Sequence, residues 1–221
     1  MKTPANIYEN RTLHNCTQVF ENRADAGGQL AELLRPHISD SALMLAIPAG
    51  GYPVAAAISK SLNLSLGYLV ASKLLVPGHT EVGFGAVAFD GSEWLNLPLI
   101  DRLNLTQGEI EQSRQQALAK VQRRFARLCN NQPPKVMGRQ VILVDDGLAS
   151  GATLYAAITA LRKRQPAELV VAVPTGSEHS VQAMAPQCDN LVCANIRSGY
   201  PYAVAHAYRH WVDVDEAELP A

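Results

Sequence analysis

The sequence predicts an α/β fold with a doubly wound, mainly parallel sheet of about five strands. Two observations favour this fold. Short, almost continuous apolar stretches recur along the chain, and segments with helical spacing of apolar residues separate them. Strands that are apolar on both faces are typical of a parallel sheet covered by helices on each side. Because 48% of the 221 residues are hydrophobic, the chain can bury one substantial core, and we expect a single domain over residues 1–221.

The first half of the chain contains a predicted β-α-β unit. Residues 18–34 carry apolar side chains at helical intervals, which predicts an amphipathic helix. The apolar stretch 42–47 predicts a buried strand, and residues 52–62 predict a helix with Pro53 in its first turn. Residues 66–71 predict the second strand of the unit.

An insertion with a long helix is expected next, over about residues 84–130. Residues 73–91 are rich in glycine and predict a mobile loop that leads into a short hairpin. Residues 106–128 then show helical spacing of apolar side chains behind a capping box of Thr106 and Glu109. The pattern indicates a long surface helix.

The second half alternates strands and helices again. Strands and helices are predicted, in turn, at residues 140–144, 152–164, 168–174, 177–185 and 190–195. The core of the fold is expected to occupy about residues 18–215, and a C-terminal segment of about 195–221 would form a small hood over it.

Composition limits the classes of function. The formal net charge of −1 gives no reason to expect a nucleic-acid or membrane partner. The four cysteines show no metal-ligand spacing with histidine and are expected to be reduced thiols. Residues 1–16 are polar, and prolines and glycines interrupt the most apolar stretch, residues 42–59. We therefore expect a cytoplasmic protein.

The stretch "VILVDDGLASGAT", residues 141–153, carries the most informative chemistry. Four β-forming residues lead to Asp145 and Asp146, and small residues with the Ser150 and Thr153 hydroxyls follow. Ligands of open parallel sheets bind beyond the carboxyl ends of the strands, and amides at a helix N-terminus hold phosphate. Because paired carboxylates accept hydrogen bonds from sugar hydroxyls, the pattern favours ribose 5-phosphate.

Other nucleotide-binding motifs do not match this stretch. It lacks the lysine of G-x-x-x-x-G-K-[ST] and the spacing of G-x-G-x-x-G. An ordinary strand-ending turn is the remaining alternative, because adjacent aspartates before a glycine also cap the helix that follows.

All 13 positions of residues 141–153 resemble the phosphoribosyl pyrophosphate (PRPP) signature of type I phosphoribosyltransferases. Segments 20–34, 45–58 and 72–91 also occur in the order seen in a group of uncharacterised bacterial and archaeal phosphoribosyltransferases. The resemblance covers most of residues 18–215. It implies a type I phosphoribosyltransferase-like sheet with a small hood and, here, a long extra helix.

The resemblance implies a role for each residue that matches the signature. Asp145 and Asp146 are expected to be catalytic residues that hold the ribose hydroxyls of PRPP. The residues expected to bind the 5-phosphate, through backbone amides and hydroxyls, are Gly147, Ala149, Ser150, Gly151, Ala152 and Thr153.

The turn at residues 48–51 resembles the family's pyrophosphate loop, in which glycine lets backbone amides approach an anion closely. Ala49, Gly50 and Gly51 are therefore expected to bind pyrophosphate, although relatives commonly carry arginine where this chain has Ala49. Lys73 matches a cation that opens the catalytic loop in several members, at the end of the second predicted strand, and is expected to bind pyrophosphate and act in catalysis. A plain turn and a solvated lysine are the alternatives.

The acceptor remains open. Oxopurine-using relatives place a third acid where this chain has Ala149, which argues against hypoxanthine or guanine. Tyr200 and Tyr202 match a region where relatives carry an aromatic side chain that stacks on the base. Packing of these tyrosines within the hood is the alternative.

The implied reaction is transfer of the 5-phosphoribosyl group from PRPP to a nitrogenous, nucleobase-like acceptor, with release of pyrophosphate. Mg²⁺ is expected as the cofactor, carried by PRPP with no direct protein ligand. The glycine-containing loop would close to keep water out, and its residues His79 and Glu81 are expected at an exposed tip. Such folds often pair, which favours a homodimer.

The expected enzyme would take part in nucleotide metabolism. Two other functions are alternatives to it. The same fold is reused without catalysis, so a PRPP- or nucleotide-sensing protein is the main alternative, and Ala49 supports it. A sugar-phosphate hydrolase is a second alternative, but the sequence shows no nucleophile elbow or metal-ligand cluster.

Overall fold

A computed structural model of the chain describes residues 6–80, 82–199 and 201–220. The strands of these ranges are β1 (Ile7–Tyr8), β2 (Leu43–Ala46), β3 (Ser65–Tyr68), β4 (Ala71–Leu75), β5 (Gly83–Ala88), β6 (Glu93–Leu95), β7 (Gln140–Val144), β8 (Glu168–Ser177) and β9 (Asn190–Arg197). The α-helices are α1 (Arg23–Leu34), α2 (Gly51–Leu62), α3 (Leu97–Arg102), α4 (Gln107–Cys129), α5 (Ala152–Arg162) and α6 (Glu178–Met184).

The main sheet is parallel throughout and confirms the predicted fold class. Within the described ranges it has six strands in the order β1-β9-β8-β7-β2-β3. The prediction of about five strands omitted β1, whose two residues pair with β9 through Ile7 and Leu191. A strand of two residues is too short to show a hydrophobic period.

Helices cover both faces of the main sheet. Ile142 and Val144 of β7 pack with α1 and α2, whereas Val141 and Leu143 of the same strand pack with α5 and α6. Successive side chains of a strand point to opposite faces, which explains why the central strands are apolar at every position. Strands β2, β3 and β7 all end at one edge of the sheet, because they are parallel.

The sequence predicts a strand at residues 66–71, but the chain leaves the main sheet before this range ends. Pairing of β3 with β2 ends at Tyr68, and β4 begins at Ala71 in a separate antiparallel sheet of order β4-β5-β6. Lys73 therefore lies in the middle of β4, opposite Ala86, and not at the end of a main-sheet strand. The mobile loop predicted to begin at residue 73 is correspondingly shorter, because β4 continues to Leu75 and β5 begins at Gly83.

The smaller sheet lies between two helices. Alanines of β4 and β5 pack against Ala152, Ala156 and Ala160 of α5, and such small side chains allow a helix to approach a sheet closely. Helix α4 packs with the other face, through residues such as Ala117 and Val121. The predicted capping box of α4 is confirmed, since the N-cap and N3 residues exchange both of its hydrogen bonds.

The C-terminal segment after β9 runs across the molecule. Short 3-10 turns form at Val204–Ala207 and Glu216–Glu218, and Tyr208 is buried against Phe20 next to α1. The four cysteines are free thiols. Among the described residues, no helix has the length and apolar character needed to cross a membrane. The division into one domain with a hood stays a prediction.

Candidate active site

The twin aspartates lie directly after β7, at the edge where the parallel strands end. The Asp145 carboxylate accepts a hydrogen bond from the Asp146 backbone N–H at 2.9 Å and one from the Thr153 hydroxyl at 3.4 Å. Burial raises the pKa of Asp145 well above its usual range, and the neighbouring Asp146 charge raises it further. Two half-buried carboxylates side by side favour a ligand that donates hydrogen bonds or brings positive charge.

Asp146 is held by two residues distant in sequence. Its Oδ2 atom accepts a hydrogen bond from Arg23 Nε at 2.9 Å, and its backbone carbonyl accepts one from the Tyr208 hydroxyl at 2.6 Å. Burial raises the pKa of Asp146, whereas the Arg23 guanidinium acts in the opposite direction and favours the ionised form. The carboxylate is therefore fixed from α1 and its backbone from the C-terminal segment.

The turn at residues 48–51 packs directly against these aspartates. A methyl group added at Gly50 would overlap Asp146 Oδ2, and one added at Gly51 would lie 2.7 Å from the Val144 carbonyl oxygen. The peptide bond between Pro48 and Ala49 is cis. The turn thus presents backbone next to the carboxylates, and the half-buried Ala49 brings no charge to it.

Lys73 reaches the same edge from the smaller sheet. Its positive charge lowers the pKa of both Asp145 and Asp146, although the effect of burial is larger. The structure therefore brings Lys73 into electrostatic contact with the twin aspartates from within β4. Pyrophosphate binding and catalysis by Lys73 stay predictions. Gly83 on β5 leaves room for its side chain, since an added methyl group there would lie 3.3 Å from Lys73 Cβ.

The loop between β7 and α5 has buried and exposed parts. Leu148 is fully buried, whereas Ala149 and Ser150 are exposed. Gly151, with a φ of 75°, precedes the first turn of α5, so the first amides of α5 lie beside the exposed residues. Amides at a helix N-terminus carry partial positive charge and bind anions.

Other residues of this loop are held by hydrogen bonds and packing within the molecule. The Ser150 hydroxyl accepts the Ala152 N–H at 3.5 Å, and the Ser180 hydroxyl donates to the Ala149 carbonyl oxygen. The Ala152 side chain is buried against the smaller sheet, so only its backbone faces the loop. A methyl group added at Gly147 would lie 2.5 Å from Val204 Cγ1.

The hood residues are only partly described. Tyr200 and Glu81 lie outside the described residues. The Tyr202 hydroxyl donates to the Thr175 hydroxyl at 3.3 Å, and the Arg197 guanidinium lies 5.4 Å from the centre of the Tyr202 ring. His79 is in the exposed loop that joins β4 to β5. Base stacking by Tyr202 stays a prediction.

Arg23 was not among the predicted site residues, although the sequence contains a signal for it. Phe20, Arg23, Gly27, Leu30 and Leu34 follow one another at intervals of three and four residues. This spacing places an arginine on the buried stripe of α1, and a buried arginine requires a partner. The partner, Asp146, lies 123 positions further along the chain and could not be identified from local pattern.

The fold is that of the phosphoribosyl transferase family. Residues 20–204 match the family model described as the phosphoribosyl transferase domain, and the chain belongs to that family. Two curated Mycobacterium tuberculosis proteins, from strains CDC 1551 and H37Rv, are each named "Putative phosphoribosyl transferase" and are 34% identical to this chain over 205 residues. The match covers 92% of this chain and 46% of each relative, so the chain spans about half the length of the curated relatives it matches.

Solved structures share the fold. The TT1426 protein of Thermus thermophilus is 27% identical, with a TM-score of 0.70, over 90% of this chain and 94% of that protein. The AQ2163 protein of Aquifex aeolicus is 12% identical, with a TM-score of 0.52, over 84% of this chain and 78% of that protein. The second likeness shows the fold alone.

Proposed function

We propose that the chain transfers the 5-phosphoribosyl group of PRPP to a nitrogenous, nucleobase-like acceptor, with release of pyrophosphate. Membership of the family supports the class of reaction. One observation in the structure carries the proposal for this particular site. The glycines of turn 48–51 lie directly against the twin aspartates that precede the amide-rich start of α5.

The proposal assigns each part of PRPP to one surface of this arrangement. The exposed loop residues 149–151 and the first amides of α5 would bind the 5-phosphate. Asp145 and Asp146 would accept hydrogen bonds from the two ribose hydroxyls. The backbone of turn 48–51 would bind the pyrophosphate, with Lys73 supplying a positive charge to the same region.

In the proposed reaction the bond from the anomeric carbon to pyrophosphate breaks as the acceptor nitrogen attacks from the opposite side. Positive charge then develops on the ribose ring, beside the twin carboxylates, and negative charge grows on the leaving group. Positioning and electrostatic stabilisation are the contributions of the protein. Closure of the loop after β4 would exclude water from the donor.

Mg²⁺ belongs to the proposal as a cofactor that arrives on the pyrophosphate of PRPP, whose charge it neutralises. The turn at 48–51 fits this role for the metal, because it has no cationic side chain of its own to neutralise the pyrophosphate. Across the described residues, no group of three or more His, Cys, Asp or Glu side chains is placed to hold a metal ion. A cytoplasmic location and a homodimer stay predictions.

A PRPP-sensing protein without catalysis is the second candidate. The uncharged Ala49 in turn 48–51 favours it, because a cation there would stabilise the departing pyrophosphate more than bound PRPP. The two candidates share the donor site and differ only in turnover.

A screen of nucleobases and amines with PRPP and Mg²⁺, with pyrophosphate release as the readout, separates these functions. We expect release with at least one acceptor, and loss of that release in Asp145→Asn. PRPP binding by calorimetry without release across a broad acceptor set would favour the sensor. No PRPP binding at all would contradict both.

A further inference from the structure

Arg23 connects two parts of the molecule that are far apart in sequence. Its Nε atom donates to Asp146 Oδ2 at 2.9 Å, and its Nη1 atom donates to the Val212 carbonyl oxygen at 2.6 Å. Its guanidinium carbon lies 3.8 Å from the centre of the Trp211 ring. One buried side chain therefore contacts both the Asp146 carboxylate and the C-terminal segment.

The chemistry of arginine explains why this residue suits the position. The guanidinium is planar, stays charged, and offers donors in several directions while its face stacks on an aromatic ring. A lysine could hold the carboxylate or the carbonyl but could not stack in the same way. A buried charge is retained only where partners compensate its desolvation, and here the partners come from the β7 end and from residues 211–212.

We propose that Arg23 is a positioning residue. It orients Asp146 for the ribose of PRPP, and it holds residues Tyr208–Val212 of the C-terminal segment next to the PRPP site. This inference rests on the proposed function, because it assigns Asp146 to the ribose hydroxyls. It adds that Arg23 couples the position of the Asp146 carboxylate to that of residues 208–212. A change in the position of either one therefore alters the other.

The charged and titratable groups around Asp146 support this role. They come from α1, β4, β7 and the C-terminal segment, and they are Arg23, Lys73, Asp145, Tyr202 and Tyr208. Arg23 is the group that most strongly favours the ionised form of Asp146 against burial, and Lys73 acts in the same direction more weakly. Without Arg23, the pKa of Asp146 would rise further, because the effect of burial would be less compensated.

The first test compares PRPP affinity and its pH dependence in the parent, Arg23→Met and Arg23→Lys, by calorimetry with Mg²⁺ present. Arg23→Met should weaken PRPP binding by about tenfold or more, the scale of a lost hydrogen bond between charged groups. The pH below which binding is lost should also move upward, because Asp146 would accept a proton more readily. Arg23→Lys should keep the parent pH dependence and regain part of the affinity.

Arg35→Met is the matched control. Arg35 follows the last residue of α1, outside the proposed connection, and pairs with Glu32 in an exposed ion pair, so its loss should leave PRPP affinity and its pH dependence unchanged. Thermal unfolding of each variant shows whether it is folded. A purely structural role for Arg23 would lower stability without moving the pH dependence of binding.

Trp211→Leu tests the connection to the C-terminal segment without touching the donor carboxylate. The Trp211 side chain is 36% exposed, so this variant should fold. We expect it to weaken PRPP binding about threefold, and the double variant with Arg23→Met to bind no more weakly than Arg23→Met alone. Such non-additivity is the signature of two residues that act through one contact.

The outcomes distinguish failure of this inference from failure of the proposed function. A parent that binds PRPP, with Arg23→Met and Arg23→Lys matching it in affinity and pH dependence, would overturn the role of Arg23 alone. Additive effects of Trp211→Leu and Arg23→Met would overturn the connection to the C-terminal segment. A parent that binds no PRPP at any pH would overturn the proposed function, and this inference with it.

Discussion

Two turns beside the twin aspartates use glycine for different physical reasons. In the turn at 48–51, the glycines are packed so closely against the end of β7 that an added methyl group would overlap Asp146 or the Val144 carbonyl oxygen. In the loop before α5, Gly151 has a φ of 75°, a backbone conformation that side chains disfavour. The first turn needs glycine because its backbone lies so close to the end of β7. The second needs glycine because φ is positive at Gly151.

The two turns also differ in the charge that they can offer an anion. The loop before α5 combines helix N-terminal amides with the Ser150 and Thr153 hydroxyls, so it can bind a phosphate with local groups alone. The turn at 48–51 has neither a hydroxyl nor a cation, and in the proposed function its positive charge would come from Lys73 on the smaller sheet. We therefore expect phosphate binding to depend on local backbone, and pyrophosphate binding to depend on the packing of two sheets.

The largest effect is expected from Gly151→Val, which should abolish binding of the 5-phosphate. The substitution disfavours the positive φ and places a side chain 2.8 Å from Met184 Cε and 3.0 Å from Leu148 Cδ1. Ribose 5-phosphate should then give no protection against thermal unfolding. Gly138→Val is the control, because Gly138 has a φ of 67° and no atom within 4 Å of an added methyl group. Full protection of Gly151→Val would place the phosphate elsewhere.

A smaller effect is expected from Gly51→Ala, which tests close approach without a positive φ. The added methyl group would meet backbone atoms at 2.7 Å and 3.0 Å, and we expect a loss of about 1–3 kcal/mol in the free energy of unfolding from overpacking. Urea denaturation measures it. Gly28→Ala, with no atom within 4 Å, should instead be neutral or stabilising by up to about 1 kcal/mol. Equal stability of both variants would contradict the packing argument.

Asp145→Asn should weaken PRPP binding by about tenfold to a hundredfold, the range for a hydrogen bond to a charged group. Calorimetry checks this loss.

The same substitution should raise the Tm at neutral pH. Burial raises the folded-state pKa of Asp145 above its unfolded value, so the folded state binds more protons between the two values, and stability falls as pH rises through that window. Asparagine removes this cost, and the gain in Tm should vanish below the unfolded pKa. A Tm that falls at neutral pH would show that the ionised carboxylate stabilises the fold.

The smallest effect is expected from Ala49→Arg, which gives the turn at 48–51 the charge that it lacks. An arginine there should stabilise the departing pyrophosphate more than bound PRPP, and raise turnover about tenfold, or about 1.4 kcal/mol of barrier. Ala49→Met adds length without charge and should give no increase. Tighter PRPP binding by Ala49→Arg, without pyrophosphate release in either protein, would favour the sensor over the enzyme.

Local pattern predicted those elements of the fold that depend on neighbouring residues. The strand-turn-helix around Asp145 and the capping box of Thr106 and Glu109 are encoded within a few residues, and the structure confirms both elements. The predicted end of the strand at 66–71 was wrong. The chain changes sheets between Tyr68 and Ala71, and apolar residues lie on both sides of this point. Apolar pattern indicates burial but does not identify the sheet in which a residue is buried.

The parallel α/β architecture, the family and the positions of the two glycine turns could all be predicted from the sequence, because periodicity, turn chemistry and the 13-residue signature are local properties. Sequence pattern does not show that Lys73 approaches the twin aspartates from the middle of β4, or that Arg23 holds Asp146 across 123 positions. These contacts depend on how helices and sheets pack against one another. No short segment of sequence specifies the partner of a charge that lies on a different element.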